Sequence, residues 1–233
     1  MRRSEVNAAA ATNAHAEARP IHEQLRVLMR AQRGPAVVTI GTFDGVHAGH
    51  RALLTHAAGE ARRRGVRLVA VTFSPRPDAF IAPEHALPDI CPIQERTARL
   101  RAAGADAVVV LPFTRELMGV DAAAFVGHLV DDLGAVAICV GSEFALGRGR
   151  AGTVPALREL GIEVIAVPVV VLAGRTAKIS SSSIRRAIDG GVPRHLALTA
   201  ASPVAGDLEP LDERRCLAGV GSDVGARFTL STA

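Results

Sequence analysis

Five short runs of apolar residues organise the chain from residue 36 onward. They are nearly continuous rather than alternating, which is typical of strands that are buried on both faces of a sheet. The runs span residues 36–40, 66–73, 107–111, 136–140 and 162–171. This pattern predicts the strands of one buried sheet.

Amphipathic segments with helical periodicity separate these runs. They cover residues 49–64, 93–103, 121–133, 153–160 and 182–188, the last of which we expect to be the final helix. Strands that alternate with helices give an α/β fold with a parallel sheet and right-handed crossovers. Ligands of such sheets bind beyond the carboxyl ends of the strands. We therefore expect the site in the loops that follow Ile40, Phe73, Leu111, Val140 and Val171.

The composition indicates one folded domain with two looser ends. Residues 1–20 are rich in Ala and polar side chains, and we expect a disordered leader there. Residues 21–200 carry the predicted strands and helices, and 48% of the chain is hydrophobic, which is enough for a sizeable core. Residues 201–233 are punctuated by Pro and Gly, so we expect a short tail of loop and hairpin.

Charge, cysteine usage and hydropathy narrow the class of protein. Three widely separated cysteines fit a reducing compartment, and the apolar runs are too short to span a bilayer. The amino-terminal stretch lacks the apolar core of a signal peptide. The net charge of +4 is modest, and the arginine cluster at 62–64 has no aromatic neighbours, which indicates the solvated end of a helix. We therefore expect a cytoplasmic protein that binds neither membranes nor nucleic acid.

The loop after the first predicted strand carries the clearest chemical pattern. Residues 41–50 read G-T-F-D-G-V-H-A-G-H, and a helix is predicted to begin there. Gly41 and Gly49 let the backbone approach a ligand, and the free N–H groups of a helix start attract phosphate. His47 and His50 are three residues apart and share one face, where each can donate a hydrogen bond and share positive charge. A helix cap and a zinc site are the alternatives, but no third metal ligand is nearby.

Three further segments follow strand ends and carry site-like residues. Residues 71–77 read V-T-F-S-P-R-P, and two prolines stiffen a loop that can wall a flat ring or form a rigid turn. Residues 140–152 read V-G-S-E-F-A-L-G-R-G-R-A-G, a pattern typical of an anion site or of a solvated basic loop. Residues 179–185 read I-S-S-S-S-I-R, and serine hydroxyls at a helix start bind phosphate oxygens.

The first segment matches the HxGH signature of the nucleotidyltransferase superfamily. With the other three segments in the same order, residues 36–200 resemble the adenylyltransferase module of the bacterial bifunctional riboflavin kinase/FAD synthetases. The chain departs from that family at three site positions. Arg76 stands where the family usually has His, Glu143 replaces a shorter Asp or Asn, and Leu146 replaces an aromatic residue.

The resemblance implies a fold, a reaction and a set of contacts. The fold is a Rossmann-like, doubly wound parallel sheet of about five strands. The reaction is the transfer of AMP from ATP to FMN, giving FAD and pyrophosphate, with Mg²⁺ bound to ATP and no metal held by the protein alone. The catalytic residues are His47, His50 and Arg185. The implied ATP contacts are Gly41, Thr42, Phe43, Asp44, His47, Gly49, His50, Gly141, Ser180, Ser181, Ser182 and Arg185. The implied flavin contacts are Pro75, Arg76, Pro77, Phe80, Phe113, Glu143, Phe144, Leu146 and Arg148.

Other functions of the same residues stay open at this point. We find no G-F-P-T-A-N motif of the family's kinase domain after residue 200, so we expect that domain to be absent. A related nucleotidyltransferase with another phosphate substrate, either cytidylyltransferase-like or acting on a flavin analogue, is one alternative. A non-catalytic paralogue that binds flavin or nucleotide is the other.

Overall fold

The computed structural model describes residues 20–168, 170–172, 179–201 and 208–210. The expected leader and most of the expected tail lie outside these ranges. The strands, numbered along the chain, are β1 Ala36–Ile40, β2 Arg67–Ser74, β3 Ala107–Pro112, β4 Ala135–Gly141, β5 Ala145–Leu146, β6 Gly152–Thr153, β7 Val164–Val167, β8 Val170–Leu172 and β9 Leu208–Pro210. The α-helices are α1 Ile21–Arg30, α2 Ala48–Arg64, α3 Pro77–Ile81, α4 Ile93–Ala102, α5 Arg115–Gly119, α6 Ala122–Gly127, α7 Val154–Glu159, α8 Ser181–Asp189 and α9 Arg194–Ala200.

Five parallel strands form the central sheet in the order β3-β2-β1-β4-β7. This arrangement confirms the predicted α/β fold with a doubly wound parallel sheet of five strands. The strand order reverses between β1 and β4, because β2 and β3 extend to one side of β1 while β4 and β7 extend to the other. The carboxyl ends of strands at such a reversal leave a crevice in which ligands bind.

Alternate residues of each central strand pack into two separate cores. On β1, Val38 and Ile40 join Leu25, Phe125 and Leu129 on one face of the sheet. On the other face, Val37 packs with side chains of α2 and α4, which include Leu54 and Leu100. All five residues of β1 are buried, so the continuous apolar run in the sequence reflects burial on both faces.

Several elements differ from the sequence prediction. The predicted fifth strand ends at Val167, because Pro168 has no N–H group to continue the ladder. The chain resumes as β8, which pairs antiparallel with β9 instead of joining the parallel sheet. The helix predicted over 121–133 divides into α6 and a π-helical turn at His128–Leu133. Helices α1, α3, α5 and α9 are additional to the prediction.

No helix in the described parts of the chain combines the length and the apolar character that crossing a bilayer requires.

The long helix α2 carries its arginine cluster in the last turn, where Arg64 forms an ion pair with Glu163 of the loop before β7. This placement confirms the interpretation of residues 62–64 as a helix end, and positive charge is favourable at that end of the helix dipole.

The start of the sheet depends on a close approach of two glycine backbones. Gly134 has φ of +95°, and a Cβ added there would lie 2.7 Å from the carbonyl oxygen of Gly34. Gly65, at the end of α2, has φ of +65° but open space around it. We expect Gly65→Ala to cost about 1 kcal/mol through left-handed strain alone. Gly134→Ala adds a backbone clash, and its total cost is expected to be on the order of 3 kcal/mol.

Urea unfolding of the two variants, each against the wild type, measures this difference. Equal unfolding free energies for Gly134→Ala and Gly65→Ala would contradict the proposed role of the close approach.

Candidate active site

A cavity of about 310 Å³ lies where the strand order reverses, beyond the carboxyl ends of β1 and β4. Its walls come from the loop after β1, the first turns of α2, the end of β4, the end of β7 and the start of α8. The lining residues are Ile40, Gly41, Phe43, His47, Gly49, His50, Leu53, Gly141, Glu143, Phe144, Val167, Pro168, Ile179, Ser180 and Ser181. The first motif segment, residues 41–50, and the last, residues 179–185, therefore meet at one place although they lie far apart in the sequence.

The histidine pair forms one stacked unit at the start of α2. His47 is the residue before the helix, and His50 lies in its first turn. Their ring centroids are 3.8 Å apart with planes inclined by 24°, and the edge of Phe43 contacts the His50 ring. Both Nδ1 atoms are buried without a hydrogen-bond partner in the described part of the protein. Buried ring nitrogens without partners are available to a ligand.

Burial keeps both imidazoles neutral near pH 7. It lowers the pKa of His47 to about 4, and the nearby Arg51 and Arg185 act in the same direction, while Asp44 opposes them. Burial, with the adjacent His47 and Arg96, also lowers the pKa of His50 well below its usual value. Neutral rings can donate hydrogen bonds to phosphate, so the expected donation fits this environment, and the expected sharing of positive charge with phosphate stays a prediction.

The serine segment caps α8 and turns its start toward the cavity. The Ser180 hydroxyl accepts a hydrogen bond from the Ser183 backbone N–H, and the Ser183 hydroxyl accepts one from the Ser180 N–H. The Ser181 hydroxyl donates to the backbone carbonyl of Asp44 at 2.9 Å. Ser180 and Ser181 line the cavity, whereas Ser182 is exposed and is not among the lining residues.

A fully buried carboxylate, that of Asp44, joins the segments around the cavity. Its Oδ2 accepts hydrogen bonds from Arg76 Nη1 at 3.0 Å and Arg185 Nη1 at 2.9 Å. The backbone N–H groups of Ile90 and Cys91 also donate to it. This carboxylate has no exposed surface, and Asp44 is not among the lining residues of either cavity. The geometry therefore lends no support to the expected contact of Asp44 with ATP.

The Arg76 side chain is buried in the same cluster and does not face the flavin side. Besides Asp44, it contacts Asp89 at 3.1 Å and donates to the carbonyl oxygen of Leu87 at 2.7 Å. Arg96 packs beside it and pairs with Asp89 at 3.0 Å. Burial of a guanidinium requires such partners. Arg76 is not among the lining residues of either cavity, so the geometry lends no support to the expected contact of Arg76 with flavin.

A second, larger cavity of about 540 Å³ adjoins the first. Of the expected flavin contacts, it is lined by Pro77, Phe113, Glu143, Phe144 and Leu146. It also takes in Thr42, which sequence reasoning places with ATP.

The remaining expected flavin contacts lie outside this lining. Phe80 supports the wall indirectly through an edge-to-face contact with Phe113 at 5.6 Å. Pro75 and Arg148 are exposed and are not among the lining residues.

Sequence reasoning missed much of the apolar wall of this second cavity. The additional lining residues are Ile40, Phe73, Ile81, Leu117, Met118, Val120, Phe125, Ala145, Gly147, Gly149 and Arg150. Phe73 is the last residue of the predicted second strand, so its position near the carboxyl end of β2 was an available signal. Leu117 and Met118 belong to the short helix α5, whose five residues give too little periodicity to predict.

The two cavities share a boundary formed by Ile40, Gly41, Glu143 and Phe144. The first cavity, whose lining includes the paired imidazoles and two helix starts, thus adjoins a second one whose walls carry several aromatic and aliphatic side chains. Across the described ranges, no three His, Cys, Asp or Glu side chains converge in the way that a metal-ion site needs. The arrangement can bring an anionic ligand and a flat apolar ligand into contact.

The family model for FAD synthetase matches residues 29–183, about two thirds of the chain. The match includes β1 to β8, both histidines and the serine segment of α8 through Ser183. The chain belongs to the FAD synthetase family.

Similar proteins agree with this membership. The bifunctional riboflavin kinase/FMN adenylyltransferase of Pseudomonas fluorescens is 36% identical over 165 residues, which are 69% of this chain and 52% of that protein. The protein of the same name from Escherichia coli K12 is 34% identical over 137 residues, which are 58% of this chain and 44% of that protein. The chain therefore spans about half the length of the curated relatives it matches.

A solved structure supports the fold. A Streptococcus pneumoniae protein described as a macrolide-efflux protein superposes with a TM-score of 0.62 at 30% identity. The superposition covers 76% of this chain and 66% of that one.

The buried His47 imidazole makes stability depend on pH. Its folded-state pKa of about 4 lies below the ordinary value of 6.5, so its contribution is fully present above pH 6.5. That contribution is lost as the pH falls toward 4, because the unfolded chain binds the proton first. We expect the wild type to lose about 2 kcal/mol of unfolding free energy from this group between pH 7 and pH 5.

Urea unfolding at both pH values checks this expectation. In His47→Asn the pH-dependent loss should shrink by that amount, while His56→Asn, which removes an exposed histidine of the same helix, should keep the wild-type dependence. A wild-type pH dependence in His47→Asn would contradict the neutral, buried imidazole.

Proposed function

We propose that the chain transfers AMP from ATP to FMN, giving FAD and pyrophosphate. The observation that carries this proposal is the shared boundary of the two cavities at Gly41 and Glu143. It lets an anionic nucleotide beside the imidazole pair meet a flat ring beside Phe113 and Phe144. Membership of the FAD synthetase family supports the same assignment.

The reaction needs little proton transfer from the protein. A phosphate oxygen of FMN attacks the α-phosphorus of ATP, and the bond from that phosphorus to the bridging oxygen of pyrophosphate breaks. The FMN phosphate is already ionised near neutral pH because its second pKa is about 6. The protein therefore acts by positioning the reactants and by stabilising charge on the α-phosphate and the leaving group.

Neutral hydrogen-bond donors supply most of that stabilisation. The His47 and His50 rings donate N–H groups at the α- and β-phosphates, and the start of α2 presents free backbone N–H groups beside them. Ser180 and Ser181 present the start of α8 to the β- and γ-phosphates. Arg185 lies one turn further along α8 and is the cation that approaches the leaving pyrophosphate.

The apolar cavity holds the flavin ring. Phe113 and Phe144 offer aromatic surface, and Pro77 and Leu146 close two further sides. Mg²⁺ bound to ATP would neutralise phosphate charge while needing few protein carboxylates. Glu143, which lines both cavities, is the carboxylate that would meet that ion or its waters.

Turnover with named substrates tests the proposal. Purified protein with ATP and Mg²⁺ should convert FMN to FAD, while riboflavin or CTP with glycerol phosphate serve as the competing substrates. His50→Ala should lower FAD formation by roughly 10²–10³-fold, as loss of one preorganised donor does in other enzymes. His56→Ala changes an exposed histidine of the same helix and should leave turnover unchanged. Folded protein that binds FMN without forming FAD would contradict the proposal.

The walls of the two cavities give a test of which ligand each one holds. Leu146 lines the second cavity alone, and Leu53 lines the first alone. Leu146→Phe restores an aromatic surface, so we expect FMN to bind up to about tenfold more tightly with ATP affinity unchanged. Leu53→Phe should alter ATP affinity and leave FMN affinity unchanged. Calorimetric titration of each variant with FMN and with ATP measures both affinities. The reverse pattern would assign ATP to the second cavity and FMN to the first.

A further inference from the structure

Arg185, which lies outside the lining of both cavities, pairs with two different carboxylates. Its Nη1 donates to the fully buried Asp44 at 2.9 Å, which fixes one side of the guanidinium. Its Nη2 donates to Asp78 at 3.2 Å, and the Asp78 side chain is 55% exposed. One side of the guanidinium is therefore held in the interior, while the other side is held by a partner that water can reach.

The contact between Arg185 Nη2 and Asp78 is the one that a phosphate can replace. An ion pair with an exposed carboxylate is weak, because water and salt screen it and the side chain loses freedom when it forms. Phosphate oxygens carry more charge and accept charge-assisted hydrogen bonds from guanidinium groups. Ser181 of the same helix lines the cavity assigned to ATP, and the proposed function brings the nucleotide phosphates to Arg185, where Nη2 is the group that they would meet.

The position of Asp78 connects this exchange to the other cavity. Asp78 lies in the first turn of α3, a helix of five residues. The same helix contributes Pro77 and Ile81 to the wall of the larger cavity. A ligand that packs against this wall restrains α3 and keeps Asp78 beside Arg185.

We propose that Asp78 is a positioning residue that competes with the nucleotide phosphates for Arg185 and thereby couples the two substrate cavities. Without nucleotide, Asp78 holds the outer side of the guanidinium. When the phosphates bind, they take over Nη2, and when pyrophosphate leaves, Asp78 takes it back. The inference rests on the proposed function only for the identity of the two ligands.

Two consequences follow for binding. Because Asp78 competes with the phosphates, removing its charge strengthens nucleotide binding. Because a ligand against Pro77 and Ile81 keeps Asp78 engaged, FMN weakens nucleotide binding, and the nucleotide weakens FMN binding by the same factor. Both effects are expected to be about two- to fivefold, the range of an exposed ion pair.

Asp89 provides a matched control for Asp78. Both aspartates are about half exposed, and both pair with Nε of the buried Arg76. Asp78 also pairs with Arg185, whereas the second partner of Asp89 is Arg96. Asp78→Asn and Asp89→Asn thus remove the same charge from the same cluster, and differ in the contact with Arg185.

The experiment is calorimetric titration of the full chain with Mg²⁺ and α,β-methylene-ATP, a nucleotide that cannot release pyrophosphate, with and without saturating FMN. Asp78→Asn should bind the nucleotide about two- to fivefold more tightly than the wild type, with Asp89→Asn and Asp78→Glu at the wild-type value. FMN should weaken nucleotide binding in the wild type and in Asp89→Asn, and leave it unchanged in Asp78→Asn.

Three results overturn the inference. They are an unchanged or weaker nucleotide affinity in Asp78→Asn, an equal gain in Asp89→Asn, and an effect of FMN that persists in Asp78→Asn. None of these depends on turnover, so each is distinct from a failure of the proposed function, which the wild-type conversion of FMN with ATP measures separately.

Discussion

The buried carboxylate of Asp44 is the constraint on which the rest of the site depends. A charge without exposed surface persists only where donors surround it, and here two guanidinium groups and two backbone N–H groups do so. These donors come from the end of β2, the loop before α4 and helix α8. One side chain thus joins segments that the sheet alone would leave separate, and the shape of the loops beyond the strands follows from it.

This arrangement separates the charged side chains of the site from its neutral hydrogen-bond donors. The cations Arg76 and Arg96 lie behind the loops, where aspartates balance them. The cavity itself is faced by neutral imidazoles, hydroxyl groups and helix starts. Neutral donors cost less to bury than charges do, so a cavity can be kept narrow and dry around them. Arg185 stands between the two regions, since it is anchored in the charged cluster and carried by the helix that lines the cavity.

The sequence predicted the features that the local spacing of residues determines, namely strands and shared helical faces. Continuous apolar runs identified β1 and β2 because both faces of the sheet are covered there, and the spacing of His47 and His50 placed them on one helical face. The sequence could not predict pairs such as Asp44 with Arg185, which are 141 positions apart and meet only through the sheet topology. The family resemblance assigned Arg76 to the flavin, whereas its long side chain turns back into the interior. The fifth strand was predicted to continue past Val167 because the hydrophobicity of residues 162–171 does not reveal that Pro168 interrupts the strand.

The carboxyl ends of the two outer strands affect whether the sheet can pair with a strand of another molecule. Strands β3 and β7 are the two edges of the parallel sheet, and each reaches a proline at its carboxyl end, Pro112 on β3 and Pro168 just after β7. Proline offers no N–H group to a neighbouring strand, so neither edge can extend its ladder at the end where the cavities lie. The missing N–H groups disfavour edge-to-edge pairing with another sheet at the end of the strands where the two cavities lie.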